Sequence, residues 1–252
     1  MTDPRNDHEL AADLARDAGA LLLDIRADFP ADGDPRQLKS AGDMGAHHLL
    51  LAALAAARPG DAVLSEEGAD NHERLAADRV WIVDPLDGTR EFSERPRDDW
   101  AVHVALWERG ELVAGAVALP ARGVVHSTLT PPALPAPADG RLRLAVSRSR
   151  PPAWLPALVD ALDADVVPMG SAGVKAMSVL DGTTDAYVHA GGQYEWDSAA
   201  PVIVAAAAGL YTSRVDGSAL VYNQRDVSLP DLIVCRPELA QRVLAAVRSI
   251  DL

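Results

Sequence analysis

The sequence predicts an α/β protein of two halves, each combining a sheet with helices, and three observations lead there. An apolar stripe of helical period opens the chain, short apolar runs of strand length follow from Ala62, and strand and helix patterns alternate after a proline-rich tract near residue 135. At 252 residues and 48% hydrophobic content, the chain can bury roughly 70 to 75% of its unfolded surface, so its core needs no staples.

Leu10, Leu14, Ala18, Leu21, Leu22 and Ile25 recur three and four apart, which predicts an amphipathic helix over 8–27. The stretch "ADFPADGDPRQLKSAGD" holds two prolines and two glycines and reads as a loop able to move. Asp43 then reads as the N-cap of a second helix that runs to Arg58 and stops at Pro59-Gly60. The runs "AVL", "RVWIV", "WAVHVALW", "ELVAGAVAL" and "GVVHSTL" predict strands, with a hairpin-like connection between Glu108 and Glu111. Four prolines in "TPPALPAPADG" suit neither a helix nor a central strand, so this tract divides an N-terminal half, 1–140, from a C-terminal half, 141–252. Beyond it come a strand at "LRLAVS", a helix near 152–162, a strand at "DVVPMG", a helix at 172–181 and a strand at "DAYVHA". A long helix from Asp197 to Ala208 ends at Gly209, and a strand at "LIVC" precedes a closing helix.

Charge and composition exclude several classes. A formal charge of -14 is the wrong sign for gripping a nucleic-acid polymer through its backbone. A small phosphorylated ligand is compatible with it only where metal ions or local basic residues reverse the field. The single cysteine, Cys235, forms no internal disulfide, and no Cys/His spacing suits zinc. The polar start "MTDPRNDHEL" lacks the apolar stretch of a secretory signal, and "APVIVAAAAGL" is too short to span a bilayer. The expectation is a cytoplasmic protein with no membrane partner.

The chemistry concentrates in "WIVDPLDGTREFS", where an apolar strand runs into Asp84 and Asp87 around Pro85 and closes on Gly88 and Thr89. Functional residues of α/β folds tend to stand just past strand ends, and Pro85 turns the backbone so that Asp87 returns beside Asp84. Gly88 lets the Gly88 and Thr89 amides approach an anion. Two carboxylates about 4 Å apart repel by roughly 4 kcal/mol at an effective dielectric near 20, so such a pair needs a cation or a proton. With carboxylates plentiful and soft ligands absent, the hard ion Mg2+ is expected. "DPLDG" also reads as an ordinary surface turn. Glu66, in "VLSEEGAD", and Asp197, in "YEWDSAAP", also read singly as a solvated loop and an N-cap. Their shared placement at element ends argues for a site. His103 reads as a strand residue with a satisfied partner rather than a catalytic base, His47-His48 as helix residues, Trp196 as packing, and Cys235 as buried in a strand.

Taken together, "SEE" at 65–67, "WIVDPLDGTREF" at 81–92 and "EWDSAAP" at 195–201 resemble, in order and spacing, the inositol monophosphatase superfamily of Mg2+-dependent, lithium-sensitive phosphomonoesterases. "GTREFSERPRDDWAVHVAL", "GSAGVKAM" and "HAGGQYEWD" look most like its bacterial CysQ-type 3'(2'),5'-bisphosphate nucleotidase branch. The resemblance implies an αβαβα sandwich of the inositol monophosphatase and fructose-1,6-bisphosphatase type, with metals between the halves. It implies two Mg2+ ions, or three, held by Glu66, Asp84, Asp87, Asp197 and the Leu86 carbonyl. It implies that Asp43, on a mobile first loop, pairs with Thr89 to orient the attacking water, with Glu66 also catalytic. Substrate would meet Asp87, Gly88, Thr89, Lys175 and Asp197, with Arg90 or Arg148 adding positive charge. The chain departs from the family at "LKSAGD", where relatives carry a longer run, so neither Lys39 nor a third metal is assigned.

The implied activity is removal of the 3'-phosphate of adenosine 3',5'-bisphosphate, a by-product of sulfate assimilation. The alternatives are an inositol-1-phosphate or fructose-1,6-bisphosphate phosphatase, or a non-catalytic metal or nucleotide sensor on the same fold. Retention of all the acids argues against the sensor. Relatives in the superfamily are often homodimers.

Overall fold

The computed structural model describes residues 3–137 and 139–250. Two long helices open it, α1 (Asp7–Asp28) and α2 (Pro35–Ala57). In α1, Asn6 and Glu9 form a reciprocal capping box, and Leu10, Leu14, Ala18 and Leu22 are buried as their spacing predicts. The start of α2 corrects the sequence reading. Asp34, not Asp43, is the N-cap, and its carboxylate accepts the Arg36 amide at 2.9 Å. Pro35 occupies the first helical position, where a missing N–H costs nothing, so a residue read as a breaker is a starter. Asp43 therefore projects from the interior of a helix, and the expected mobile loop shrinks to the turn at 29–34. Gly42 stays in that helix because a Cβ there would meet Phe92 and Leu86 at 2.8 and 2.9 Å.

The first sheet has the order β1 (Ala62–Ser65), β2 (Arg79–Asp87), β3 (Ala101–Glu108), β4 (Glu111–Leu119) and β5 (Val124–Ser127), with β1 and β2 parallel and the other pairs antiparallel. A short helix, α3 (Thr89–Ser93), follows β2. The second sheet runs β7 (Ala164–Met169), β6 (Leu142–Ser147), β8 (Ala186–Ala190), β10 (Asp231–Cys235), β9 (Tyr211–Ser213). Between its strands lie α4 (Leu155–Leu162), α5 (Ala172–Leu180) and α6 (Glu195–Ala207), and α7 (Ala240–Arg248) closes the chain.

Alternation within single strands stacks these elements. In β2, Trp81 and Val83 pack with α1 and α2, whereas Val80 and Ile82 join the cluster containing Val174 of α5 and Val204 of α6. In the second sheet, Ala145, Tyr187 and Val234 face that same cluster, while Leu144, Val188 and Ile233 face Leu158 of α4 and Val243 of α7. The layers are thus helices, sheet, helices, sheet, helices. This is the αβαβα sandwich that the resemblance implies. Among the described residues no helix is long and apolar enough to cross a membrane.

Candidate active site

The opening acids lie where β2 changes register. Asp84 still pairs with His103 of β3, but the next pairing is Asp87 with Ala101, so a bulge takes up Pro85 and Leu86. The strand thus continues to Asp87 instead of ending before Asp84, because the bulge lets it turn without leaving the sheet. The Leu86 amide donates to Asp84 Oδ1 at 3.0 Å, which fixes the first carboxylate. Gly88 adopts φ +86°, and a Cβ there would lie 3.2 Å from both the Asp99 carbonyl oxygen and Ser171 Cβ. Thr89 opens α3, and its hydroxyl donates to the Leu86 carbonyl at 3.1 Å.

A cleft of about 460 Å³ brings together Glu66, Asp84, Leu86, Asp87, Gly88, Thr89, Lys175 and Asp197. Residues from both sheets and their connecting segments meet there. Asp84 is 1% exposed, and burial, followed by the charges of Glu66, Asp87 and Asp197, raises its pKa well above the usual carboxylate range. Asp197 sits in the first turn of α6, where its Oδ2 accepts the Tyr194 amide at 2.8 Å. The N-cap is therefore Tyr194, not Asp197, and Asp197 is the third residue of the helix, from which it lines the cleft. Burial and then Asp87 push its pKa up to about 7. Glu66 opens toward solvent at the end of β1, and burial of its carboxyl end raises its pKa, against a hydrogen bond with Asp84. Asp43 is not among the residues lining this cleft, yet it adjoins Thr89. Burial and the charges of Glu67 and Glu66 raise it to about 7, and a hydrogen bond with Thr89 works in the other direction.

These carboxylates suit a hard cation. Glu66, Asp84, Asp87 and Asp197 offer carboxylate oxygens that outnumber the positive charge of Lys175 beside them, and Asp84, Asp87 and His103 have ligand atoms within 4.8 Å of one another. His103 is the addition that sequence reasoning missed. It is fully buried, with Nδ1 3.0 Å from the Trp196 carbonyl oxygen and Nε2 3.3 Å from Asp87 Oδ2. Burial lowers its pKa, although Asp87 opposes that.

Lys175 lies in α5 at 7% exposure, with Nζ donating to the Ser171 carbonyl at 2.6 Å and sitting 5.3 Å from the centre of the Tyr187 ring. Burial lowers its pKa, opposed by Asp87, Glu91 and Asp197. Arg90 lines the cleft as expected, but Arg148 does not. Its guanidinium is held by Glu91 at 2.7 Å and Glu94 at 2.8 Å, and Arg150 lines the cleft from the same "SRSR" segment. Ser171 was also missed as a single residue, though it lies inside the quoted "GSAG". Trp196 stacks on Tyr194, ring centres 4.9 Å apart, and His47 is bonded to Ser65 at 2.9 Å, both consistent with packing roles.

The sequence pattern of the inositol monophosphatase family matches residues 3–132 and 139–252. The chain belongs to this family. Among relatives, it is 58% identical over 98% of its length, and 95% of the other's, to a protein of Mycobacterium bovis named 3'-phosphoadenosine 5'-phosphate phosphatase. A protein of that name from Mycobacterium leprae is 53% identical, covering 97% of this chain and 94% of the relative. The crystal structure of CysQ from Bacteroides thetaiotaomicron, a bacterial member of the inositol monophosphatase family, superposes with a TM-score of 0.76 at 27% identity, over 91% of this chain and 97% of that one. The chain is accordingly an enzyme, a phosphoric monoester hydrolase whose substrates are small phosphorylated molecules.

Proposed function

We propose that this enzyme hydrolyses the 3'-phosphate of adenosine 3',5'-bisphosphate with the help of Mg2+, leaving adenosine 5'-monophosphate and phosphate, and that it works in the cytoplasm beside sulfate assimilation. The observation that carries the reading is the convergence of Asp84, Asp87, Asp197 and Lys175 on one cleft. The names of the two mycobacterial relatives support the choice of nucleotide.

On this reading Glu66, Asp84, Asp87, Asp197 and the Leu86 carbonyl would hold the metal. Bound Mg2+ would offset the buried charge, polarise phosphate oxygens and lower the pKa of a water. The two halves, 1–140 and 141–252, each contribute one side of the cleft. Asp43 lies beside Thr89, next to the cleft, which suits the pair to accept a proton from the attacking water and to fix its direction. The Gly88 and Thr89 amides, at the turn into α3, would receive the phosphate oxygens. Lys175, with its carbonyl partners fixing Nζ, supplies a positive charge in a field otherwise dominated by acids.

The test is phosphate release with Mg2+ from adenosine 3',5'-bisphosphate, inositol-1-phosphate and fructose-1,6-bisphosphate, measured side by side. A specificity constant at least about a hundredfold higher for the nucleotide, some 2.7 kcal/mol at the transition state, is expected. Near-equal constants, or a preference for either sugar phosphate, would overturn the substrate.

A further inference from the structure

We propose that His103 is a positioning residue that fixes Asp197 through the peptide before it, an inference that rests on the metal-binding reading of Asp197 and of Asp87 beside the ring. The position is unusual for a polar ring. Val102, His103 and Val104 are all fully buried in the middle of β3, where an aliphatic side chain would satisfy the packing without polar atoms to pair.

The two ring nitrogens face opposite sides of the site. Nδ1 lies 3.0 Å from the Trp196 carbonyl oxygen. A carbonyl only accepts, so Nδ1 carries the hydrogen and donates. Trp196 directly precedes Asp197 in the first turn of α6. On the other side, Nε2, the bare nitrogen of this tautomer, packs 3.3 Å from Asp87 Oδ2 on β2 and makes no hydrogen bond. One rigid ring thus anchors the peptide beside Asp197, 93 residues further along the chain, while its other edge packs against Asp87.

α5 is shaped to this ring. A Cβ at Gly173 would come within 2.1 Å of Nε2, so the helix reaches its position only because residue 173 has no side chain. From that place the Gly173 amide donates to Asp87 Oδ2 at 2.8 Å, and Ser171 Oγ donates to the same oxygen at 2.5 Å. Oδ2 is therefore occupied by protein donors with the ring behind it. Oδ1 is left for a cation, and Asp197 is held toward the same place by the peptide that the imidazole anchors.

Outer partners of metal-binding groups characteristically act this way, orienting a ligand they support without touching the ion. The experiment is titration calorimetry of the full chain with Mg2+ alone, on wild type, His103→Leu, His103→Asn and His103→Gln, with thermal melts to verify folding. Leu is expected to weaken Mg2+ binding about 10- to 100-fold. Asn places its amide nitrogen near Nδ1, keeps the donor to Trp196, and is expected to stay close to wild type. Gln puts its amide near Nε2 instead, so it should weaken binding as Leu does, and it remains informative if Leu does not fold. Wild-type affinity in both Leu and Gln, or equal loss in all three variants, would overturn the proposal, the latter reducing His103 to core filling. A wild type that binds no Mg2+ would overturn it together with the metal reading. If wild type binds Mg2+ yet spares the nucleotide, only the substrate choice falls, and the order of the three variants still decides the role of His103.

Discussion

Ser171 Oγ donates to Asp87 Oδ2 at 2.5 Å, joining a carboxylate on the first sheet to the N-terminal turn of a helix that packs against the second, 84 residues further along. The same hydroxyl accepts the Val174 amide at 3.0 Å, so one side chain caps α5 and fixes an acid of the site. Ser171 holds φ +49° to do this, a backbone region that residues with a side chain seldom occupy. Ser171→Ala should therefore cost about 1 to 3 kcal/mol of stability, from the lost cap and a buried acceptor losing a partner. Metal affinity or turnover should fall about 10- to 100-fold. Chemical denaturation and Mg2+ titration read the two effects separately, and unchanged affinity would confine Ser171 to capping.

Asp84→Asn should abolish turnover while leaving the fold intact. Its carboxylate is buried among Glu66, Asp87 and Asp197, so neutralising it removes repulsion, and the metal-free variant should melt higher than wild type, by about 2 to 4 °C for each kcal/mol relieved. Retention of more than about a tenth of the activity at saturating Mg2+ would contradict the assignment of Asp84 as a ligand.

Thr89→Ala should lower the rate by about a hundredfold or more with nearly unchanged Mg2+ affinity, because the Thr89 hydroxyl, held by the Leu86 carbonyl and beside Asp43, is placed to direct a water. Steady-state kinetics beside a metal titration would show the split. Equal turnover in the variant would remove Thr89 from the mechanism.

Stability of the metal-free enzyme should fall as pH rises through neutrality. Asp197 and Asp43 have pKa values of about 7 in the folded state, above the ordinary unfolded value, so the folded protein binds their protons more tightly. Their contribution is fully present below the unfolded pKa and is lost as pH climbs through about 7. Mg2+ displaces the Asp197 proton, so its addition should raise the melting temperature more at about pH 8 than at about pH 6. Thermal melts with chelator and with Mg2+ check this, and a metal effect that shrinks with rising pH would count against it.

The sequence by itself determined most of the elements and singled out the acids that the fold gathers in one cleft. Apolar period marked α1 and the strands, and acids at strand ends and at a helix start singled out Glu66, Asp84, Asp87 and Asp197, because local pattern and turn residues act over a few neighbours. It misjudged α2, since Pro35 is a breaker or a starter according to whether a cap precedes it, and Asp34 fills that role. Only the tertiary structure decided which groups from distant segments meet. His103 looked like any inward strand residue until the Trp196 carbonyl paired with its Nδ1 and Asp87 packed against its other edge, and Arg148 looked free until Glu91 and Glu94 took it. Such partnerships depend on how sheets and helices stack across intervals of 50 to 90 residues, and periodicity, which reports only which face of an element is buried, carries no record of what lies against that face.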